Sequence, residues 1–245
     1  MPYSDLCREK ILSEDYHDFI VSDIRMPFLQ DMLEKDCCLQ NPGFFYQCAY
    51  LSKSVIKPVS LENYSYFSIP KCYSLLSMQA LNQAGILPIQ NHSTIQLSGK
   101  QVMIGFLDTG IDYQNPVFQH LDKTTRIAGI WDQTIQSGTP PESFDYGSHY
   151  TPDMINEALA SEDPYSLVPS VDNNGHGTFL ASIAAGSGDP DAQFIGAAPE
   201  SVIAVVKLKQ AKQYLRDYYF IPNTAPAFQE NDIMLGMRYL HLLAE

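Results

Sequence analysis

Two short stretches of this sequence carry side chains that can exchange a proton. The stretch "GFLDTGID" (105–112) places Asp108 directly after the apolar run "VMIGFL", and a Thr-Gly pair follows it. The stretch "DNNGHGTFLASIAAG" (172–186) places His176 between two glycines at the start of a small-residue helix. A carboxylate that accepts a hydrogen bond from the Nδ1–H of an imidazole orients the ring as a general base. The two stretches therefore predict an Asp–His pair, provided that the fold brings them together.

Other interpretations of each stretch remain open. Asp commonly caps a turn, and for a lone "DTG" this structural role is the commoner one. A lone histidine is likewise often a structural residue in a turn, although the glycines around His176 favour a base. Two apolar residues before Asp-Thr-Gly are also typical of aspartic proteases, in which two carboxylates share one proton. That chemistry needs a second copy, and no second "DTG" or "DSG" occurs here. Aspartic proteases are also all-β, which the pattern downstream is not.

The elements after Gly99 alternate between strands and helices. Apolar runs predict strands in "KQVMIGFLD", "TTRIAGIWDQT" and "SVIAVVKLK", and helices are predicted in "DMINEALASE", "GHGTFLASIAAGSG" and "NDIMLGMRYLHLLAE". The last helix is expected to begin at a cap, Asn231 or Asp232. Such alternation predicts an α/β fold with a parallel sheet whose faces are covered by helices. Ligands of such sheets collect beyond the carboxyl ends of the strands, where Asp108 lies.

The first 65 residues have the pattern of a small α+β unit. "YHDFIVSD" predicts a strand, "PFLQDMLEKDCCLQ" (27–40) a helix, and "NPG" a break before the β-prone "FFYQCAY". A proline-punctuated tract, 56–71, is predicted to link this unit to the next. A short helix is then expected over 73–86, with Gly85 as its C-terminal cap.

Composition and charge exclude several classes of protein. The net charge of −13 argues against a nucleic-acid partner. No stretch approaches the roughly 18 apolar residues that a membrane span needs, and the N-terminus lacks the apolar region of a signal peptide. We therefore expect a cytoplasmic protein without a membrane partner.

The cysteines and the remaining acidic residues bear on metals and on redox state. Because the five cysteines form no CxxC pair, they predict reduced thiols and neither a zinc cluster nor a disulfide framework. A metal hydrolase that uses Asp108, Asp112 and His176 is a further alternative. The chain has no HxH or HExxH pairing, which disfavours it. We expect no cofactor and no metal.

Three motifs resemble those of the subtilisin-like serine proteases, also called peptidase family S8. "IGFLDTGID", "NGHGTFLASIAAG" and "FIGAAPESVIAVVKL" are similar, in order and spacing, to the Asp motif, the His motif and the following Gly-Ala-Pro strand of that family. Further stretches, such as "YSYFSIPK" and "QENDIMLGMRYL", resemble its clostridial branch, which includes the spore-germination Csp proteases. The resemblance implies a subtilisin-like parallel sheet with flanking helices, incomplete here, preceded by a propeptide-like α+β unit. The implied domains are residues 1–65, a propeptide or an ordinary accessory domain, and 66–245, the N-terminal half of a peptidase domain.

The resemblance also implies site residues. Asp108 would orient the imidazole, and His176 would be the general base toward a serine and then the acid toward the leaving amine. The family's serine lies in Gly-Thr-Ser-x-Ala, which does not occur in these 245 residues; Ser187, in a Gly-Ser-Gly loop, fits a turn. Val117 stands where the family has a calcium-binding Asp, so no calcium is expected there.

The function expected from the resemblance is that of a serine endopeptidase that acts on peptide or protein substrates. We expect the chain to be cut off before the nucleophile and inactive alone, unless a C-terminal fragment supplies the serine. The alternative function is a non-catalytic pseudoprotease or peptide-binding module.

Overall fold

The structure is a computed structural model, and it describes residues 5–22, 37–43, 45–73, 98–188 and 195–245. The chain divides into two compact units. The first unit comprises Met1–Ser74, Thr139–Gly147 and Lys209–Tyr239, and the second comprises Leu75–Gly138, Ser148–Leu208 and Leu240–Glu245. The division at residue 65, inferred from the family resemblance, stays a prediction.

The strands and helices follow one another along the chain. The strands are β1 (Tyr16–Ser22), β2 (Cys37–Gly43), β3 (Tyr46–Ser52), β4 (Cys72–Tyr73), β5 (Met103–Asp108), β6 (Ile127–Asp132), β7 (Ser148–Tyr150), β8 (Val202–Lys207) and β9 (Phe228–Gln229). The helices are α1 (Asp5–Leu12), α2 (Pro152–Ala160), α3 (Pro164–Leu167), α4 (His176–Ala185), α5 (Gln213–Tyr218) and α6 (Glu230–Ala244). None of the described helices has both the length and the apolar character needed to cross a membrane.

The second unit is built on a four-stranded sheet with the order β5-β8-β6-β7. β5, β8 and β6 are parallel, and only β7 runs antiparallel to its neighbour. The predicted α/β fold with a parallel sheet is thus confirmed. Because β8 lies in the middle, residues 203–206 are fully buried, and burial of each isoleucine or valine side chain there contributes about 1.5–3 kcal/mol. β5 is an edge strand among the described residues and is only partly buried.

Helix α4 lies against this sheet through its smallest residues. Ala181 and Ala185 are fully buried in the same apolar cluster as Ile203 and Val205 of β8. Short side chains allow a helix to approach a sheet closely. The predicted small-residue helix is confirmed, as is the helix at 152–160.

The first unit contains an antiparallel sheet with the order β1-β3-β2. The strand predicted in "YHDFIVSD" is confirmed as β1. The helix predicted over 27–40 is wrong at its end, because Cys37–Gly43 is strand β2; residues 27–36 lie outside the described part of the chain, as do the predicted helix after Tyr73 and its cap, Gly85. The pairing of residues 37–40 with β3 outweighs their local helical spacing. Pro42 is compatible with a strand here because β2 lies at the edge of the sheet.

One cysteine pair also differs from the prediction. Cys7 of α1 and Cys38 of β2 form a disulfide, with 5.4 Å between their Cα atoms, a usual separation for such a bond. Cys48 and Cys72 are free thiols. The prediction of reduced thiols is therefore wrong for this pair, because the fold joins cysteines that are 31 positions apart.

A buried ionic network lies in the first unit. The Asp18 carboxylate, 1% exposed, accepts hydrogen bonds from Lys212 Nζ, from Gln229 Nε2 at 2.6 Å and from Asn231 Nδ2 at 3.0 Å. Burial lowers the pKa of Lys212, and Asp18 opposes that shift. The prediction that Asn231 or Asp232 precedes α6 as its cap is wrong, because the helix begins at Glu230 and both side chains are buried in its first turn.

Candidate active site

Asp108 ends β5, as its sequence position predicted. Asp108 is 7% exposed, and its Oδ1 accepts a hydrogen bond from the backbone N–H of Thr109 at 2.7 Å. The chain turns away at Gly110, whose φ of +124° suits glycine. The local bond to Thr109 is the turn-capping role that we considered as an alternative, and Asp108 makes this bond in addition to its contact with the histidine.

His176 is the first residue of α4, and the glycines on either side of it do different things. Gly175 precedes the helix with a φ of +82°, a left-handed conformation that most residues disfavour. Gly177 lies against the turn after β5, where a Cβ atom would be 2.2 Å from the backbone O of Gly110. Only glycine allows the start of α4 to approach that turn so closely.

The two side chains meet. His176 Nδ1 lies 2.8 Å from Asp108 Oδ1 and 3.0 Å from Oδ2. The side chains of His176 and Asp108 are 17% and 10% exposed, respectively, so water screens the contact only weakly. A carboxylate in this position accepts a hydrogen bond from Nδ1–H, so that Nε2 is the nitrogen that takes up a proton. The Asp–His pair predicted from the sequence is therefore present as a contact.

A second aspartate, which the sequence analysis missed, supports the start of α4. Asp172 accepts hydrogen bonds from Thr109 Oγ1 at 2.7 Å, from the N–H of Gly175 at 2.9 Å, and from both N–H and Oγ1 of Thr178 at 2.8 and 2.7 Å. Burial raises the pKa of Asp172, but the hydrogen bonds from these groups outweigh it and the net pKa lies below the ordinary value. The signal in the sequence was an acidic residue four positions before the histidine and six before a threonine.

The metal-hydrolase alternative is not supported by the geometry. The Asp112 carboxylate accepts a hydrogen bond from the N–H of Gln114 and does not converge with Asp108 and His176 into a ligand group. Among the described residues one such group has three ligands, Cys7, Cys38 and Asp145, and its two sulfurs are joined to each other.

Two further predicted positions lie away from the pair. Ser187 donates its hydroxyl proton to the backbone O of Val117, 70 positions earlier in the chain, at 3.0 Å. Val117 itself follows Asn115 and Pro116 in a single turn of 3₁₀-helix. Its side chain is aliphatic and offers no oxygen to a cation.

Comparison with known proteins connects this geometry to one family. The sequence model of the Subtilase family (Peptidase_S8) matches residues 99–231, more than half of the chain. The protein is 32% identical over 131 residues to subtilisin-like protease SBT2.2 of Arabidopsis thaliana, covering 46% of this chain and 15% of that one. It is 31% identical over 102 residues to SBT2.3 of the same plant, covering 38% and 12%.

A solved structure is also similar. The structure of the Clostridium perfringens CspB protease superposes with a TM-score of 0.50 and 34% sequence identity, covering 64% of this chain and 28% of that one. The chain thus spans less than a third of the length of each of these relatives. The matched family segment includes Asp108, Asp172 and His176.

Proposed function

The chain belongs to the subtilase family of serine proteases, and from that premise we propose that His176 is the general base of a peptide-hydrolysing site and that Asp108 is the carboxylate that orients it. The observation that carries the proposal is the 2.8 Å contact between Asp108 Oδ1 and His176 Nδ1. It joins a strand end to a helix start across 68 positions of sequence, in the chain order that subtilisin has. The substrate class that follows from the family is a peptide or a protein.

In the proposed mechanism, Asp108 and His176 have different roles in the proton transfer. Asp108 accepts a hydrogen bond from Nδ1–H, and in this way fixes the tautomer of the ring and stabilises the imidazolium as it forms. His176 Nε2 removes the proton of a serine hydroxyl while the serine oxygen attacks the scissile carbonyl. The same nitrogen then returns the proton to the leaving amine.

The serine is proposed to come from outside residues 1–245. The family's Gly-Thr-Ser-x-Ala motif does not occur in these residues, and the hydroxyl proton of Ser187 is bonded to a backbone carbonyl. Under this proposal, residues 1–245 alone are inactive, and residues 1–65 are a propeptide-like unit. A partner polypeptide that carries the serine, such as a C-terminal fragment, would complete the site.

The test is complementation. The 245-residue chain is co-expressed with a fragment that supplies Gly-Thr-Ser-x-Ala, and cleavage of a casein-derived peptide is measured. We expect cleavage that Asp108→Asn reduces by a factor of about 10⁴, because the ring then takes the wrong tautomer. His176→Ala should be as severe, whereas His120→Ala, which changes an exposed histidine of the same unit, should be neutral.

The same experiment distinguishes a protease from the alternative function, a non-catalytic peptide-binding module. If the two chains form a stable complex that binds the peptide without cleaving it, the chain is a non-catalytic peptide-binding module. Cleavage that survives His176→Ala would refute the proposed roles of the pair.

A further inference from the structure

The segment that leads into α4 is bonded to three neighbouring strands of the sheet. Ser170 Oγ donates to Asp132 Oδ2, at the end of β6, at 2.7 Å. The backbone O of Val171 accepts from Lys207 Nζ, at the end of β8, at 2.9 Å. Asp172 then contacts the residue that follows β5. Because the three strand ends are adjacent in register, three consecutive residues each reach a different strand.

The first two of these bonds rest on a buried ion pair. Lys207 Nζ lies 3.4 Å from Asp132 Oδ2, and the two side chains are 14% and 0% exposed. Separating a buried ion pair costs free energy, because it leaves an uncompensated buried charge. The segment 170–172 is therefore held against rigid parts of the sheet.

Asp172 connects this anchored segment, through hydrogen bonds, to the residues around His176. On one side, its Oδ1 accepts from Thr109 Oγ1 at 2.7 Å, and the same Thr109 oxygen accepts from the N–H of Gly177 at 3.0 Å. On the other side, its Oδ2 accepts from the N–H and Oγ1 of Thr178. The residues bonded to this one carboxylate are Thr109, which directly follows β5, and Gly175 and Thr178, which lie on either side of His176.

We infer that Asp172 is the positioning residue of the site: its carboxylate fixes the start of α4 on the end of β5 and thereby keeps His176 Nδ1 on Asp108. The inference rests on the proposed role of the Asp108–His176 pair. A charged carboxylate is needed because both of its oxygens accept from donors. An asparagine would turn an NH₂ group toward donors on one side and lose the bonds there.

The inference is tested by a readout that does not depend on activity. Histidine is labelled with ¹⁵N in the 245-residue protein, and the Nδ1–H signal of His176 is identified by its loss in His176→Gln. Asp172→Asn is expected to raise the exchange rate of this proton with water about tenfold, equivalent to about 1.4 kcal/mol of lost ordering. Far-UV circular dichroism and the fluorescence of Trp131, buried in β6, report whether the unit stays folded.

The matched control is Asp122→Asn. Asp122 also accepts from the N–H and the Oγ1 of one threonine, Thr124, at 3.0 and 2.6 Å, but in an exposed turn. It should leave the exchange rate of the His176 proton unchanged. If Asp172→Asn does not fold, Ser170→Ala loosens the same segment at its outer end and should raise the exchange rate several-fold.

The outcomes distinguish the proposed catalytic pair, Asp108 and His176, from the positioning role of Asp172. A wild-type His176 without an Nδ1–H signal would refute the proposed catalytic pair. The positioning role would be overturned if folded Asp172→Asn kept the Nδ1–H signal with an exchange rate within twofold of that of the wild type. If Asp172→Asn does not fold, the same result in Ser170→Ala would overturn it. Either result would leave the proposed catalytic pair intact.

Discussion

Replacing Gly177 with alanine is expected to move His176 away from Asp108. The added Cβ atom would lie 2.2 Å from the backbone O of Gly110, 3.1 Å from its N and 3.2 Å from Asp108 Cβ. Two of these three atoms belong to the main chain, so rotation of a side chain cannot relieve the overlap. The start of α4 must retreat from the turn after β5.

The distances give the size of the effect. An ordinary contact of a Cβ atom begins at 3.4 Å, so the start of α4 must shift by about 1.2 Å. A shift of that size would lengthen the 2.8 Å bond between His176 Nδ1 and Asp108 to about 4 Å, beyond hydrogen-bond range. Overpacking of this kind costs about 1–3 kcal/mol, against which alanine returns about 1 kcal/mol of helix propensity. We expect a net loss of up to about 2 kcal/mol.

The assay combines stability with the state of the imidazole. Urea unfolding followed by Trp131 fluorescence gives the free energy of unfolding, and ¹⁵N spectra of labelled histidine report the Nδ1–H of His176. Gly175→Ala is the matched control. A Cβ at Gly175 meets no atom within 4 Å, but its φ of +82° costs alanine about 1–2 kcal/mol. The two variants should lose similar stability, and only Gly177→Ala should lose the Nδ1–H signal.

The opposite pattern would refute the reasoning. If Gly177→Ala gained stability, as alanine does at an unhindered helical position, and kept the signal, then the close approach of α4 to the turn would not be what holds the pair together.

Three other predictions concern the first unit. Asp18→Asn should lower the free energy of unfolding, measured by urea titration, by about 3–5 kcal/mol, because it leaves the Lys212 ammonium buried without its charged partner. The double variant Asp18→Asn with Lys212→Met should recover much of this loss. A double variant no more stable than Asp18→Asn would contradict the buried-charge argument. Burial lowers the pKa of His17 to about 4, so between pH 6.5 and about 4 the unfolded chain binds a proton that the folded chain does not. Stability should therefore fall as the pH drops through that window, and His17→Gln should make the urea midpoint less dependent on pH there, which an unchanged slope would disprove. Cys7→Ser opens a disulfide that closes a loop of 31 positions and should cost about 3–4 kcal/mol under oxidising conditions; an equal stability of the variant and the wild type without reductant would show that the bond does not form.

Much of the second unit could be predicted from local pattern. Apolar runs predicted β5, β6 and β8, and alternation with helices predicted the parallel sheet. Asp108 and His176 stood out because each lies beside glycines, and a glycine marks a close approach or a special backbone conformation whatever the rest of the fold. Both reasons hold in the structure, at Gly110 and at Gly177.

The predictions that failed depended on residues far away in sequence. Residues 37–40 have helical spacing, but they pair with β3 as a strand, and Cys38 bonds to a cysteine of α1. Asn231 and Asp232 suit a helix cap, but both are buried inside the first turn of α6. Local preference of this size, a fraction of a kcal/mol per residue, yields to tertiary contacts.

The sequence by itself determined the chemical groups, their order along the chain and the type of sheet that presents them, because these follow from residue type and short-range periodicity. The tertiary structure decided which groups meet. It placed Asp108 beside His176, and it tied Asp172 to Thr109 and the segment before it to Asp132 and Lys207. Such contacts depend on the register of parallel strands, which brings together residues that are far apart along the chain, and no local pattern encodes that register.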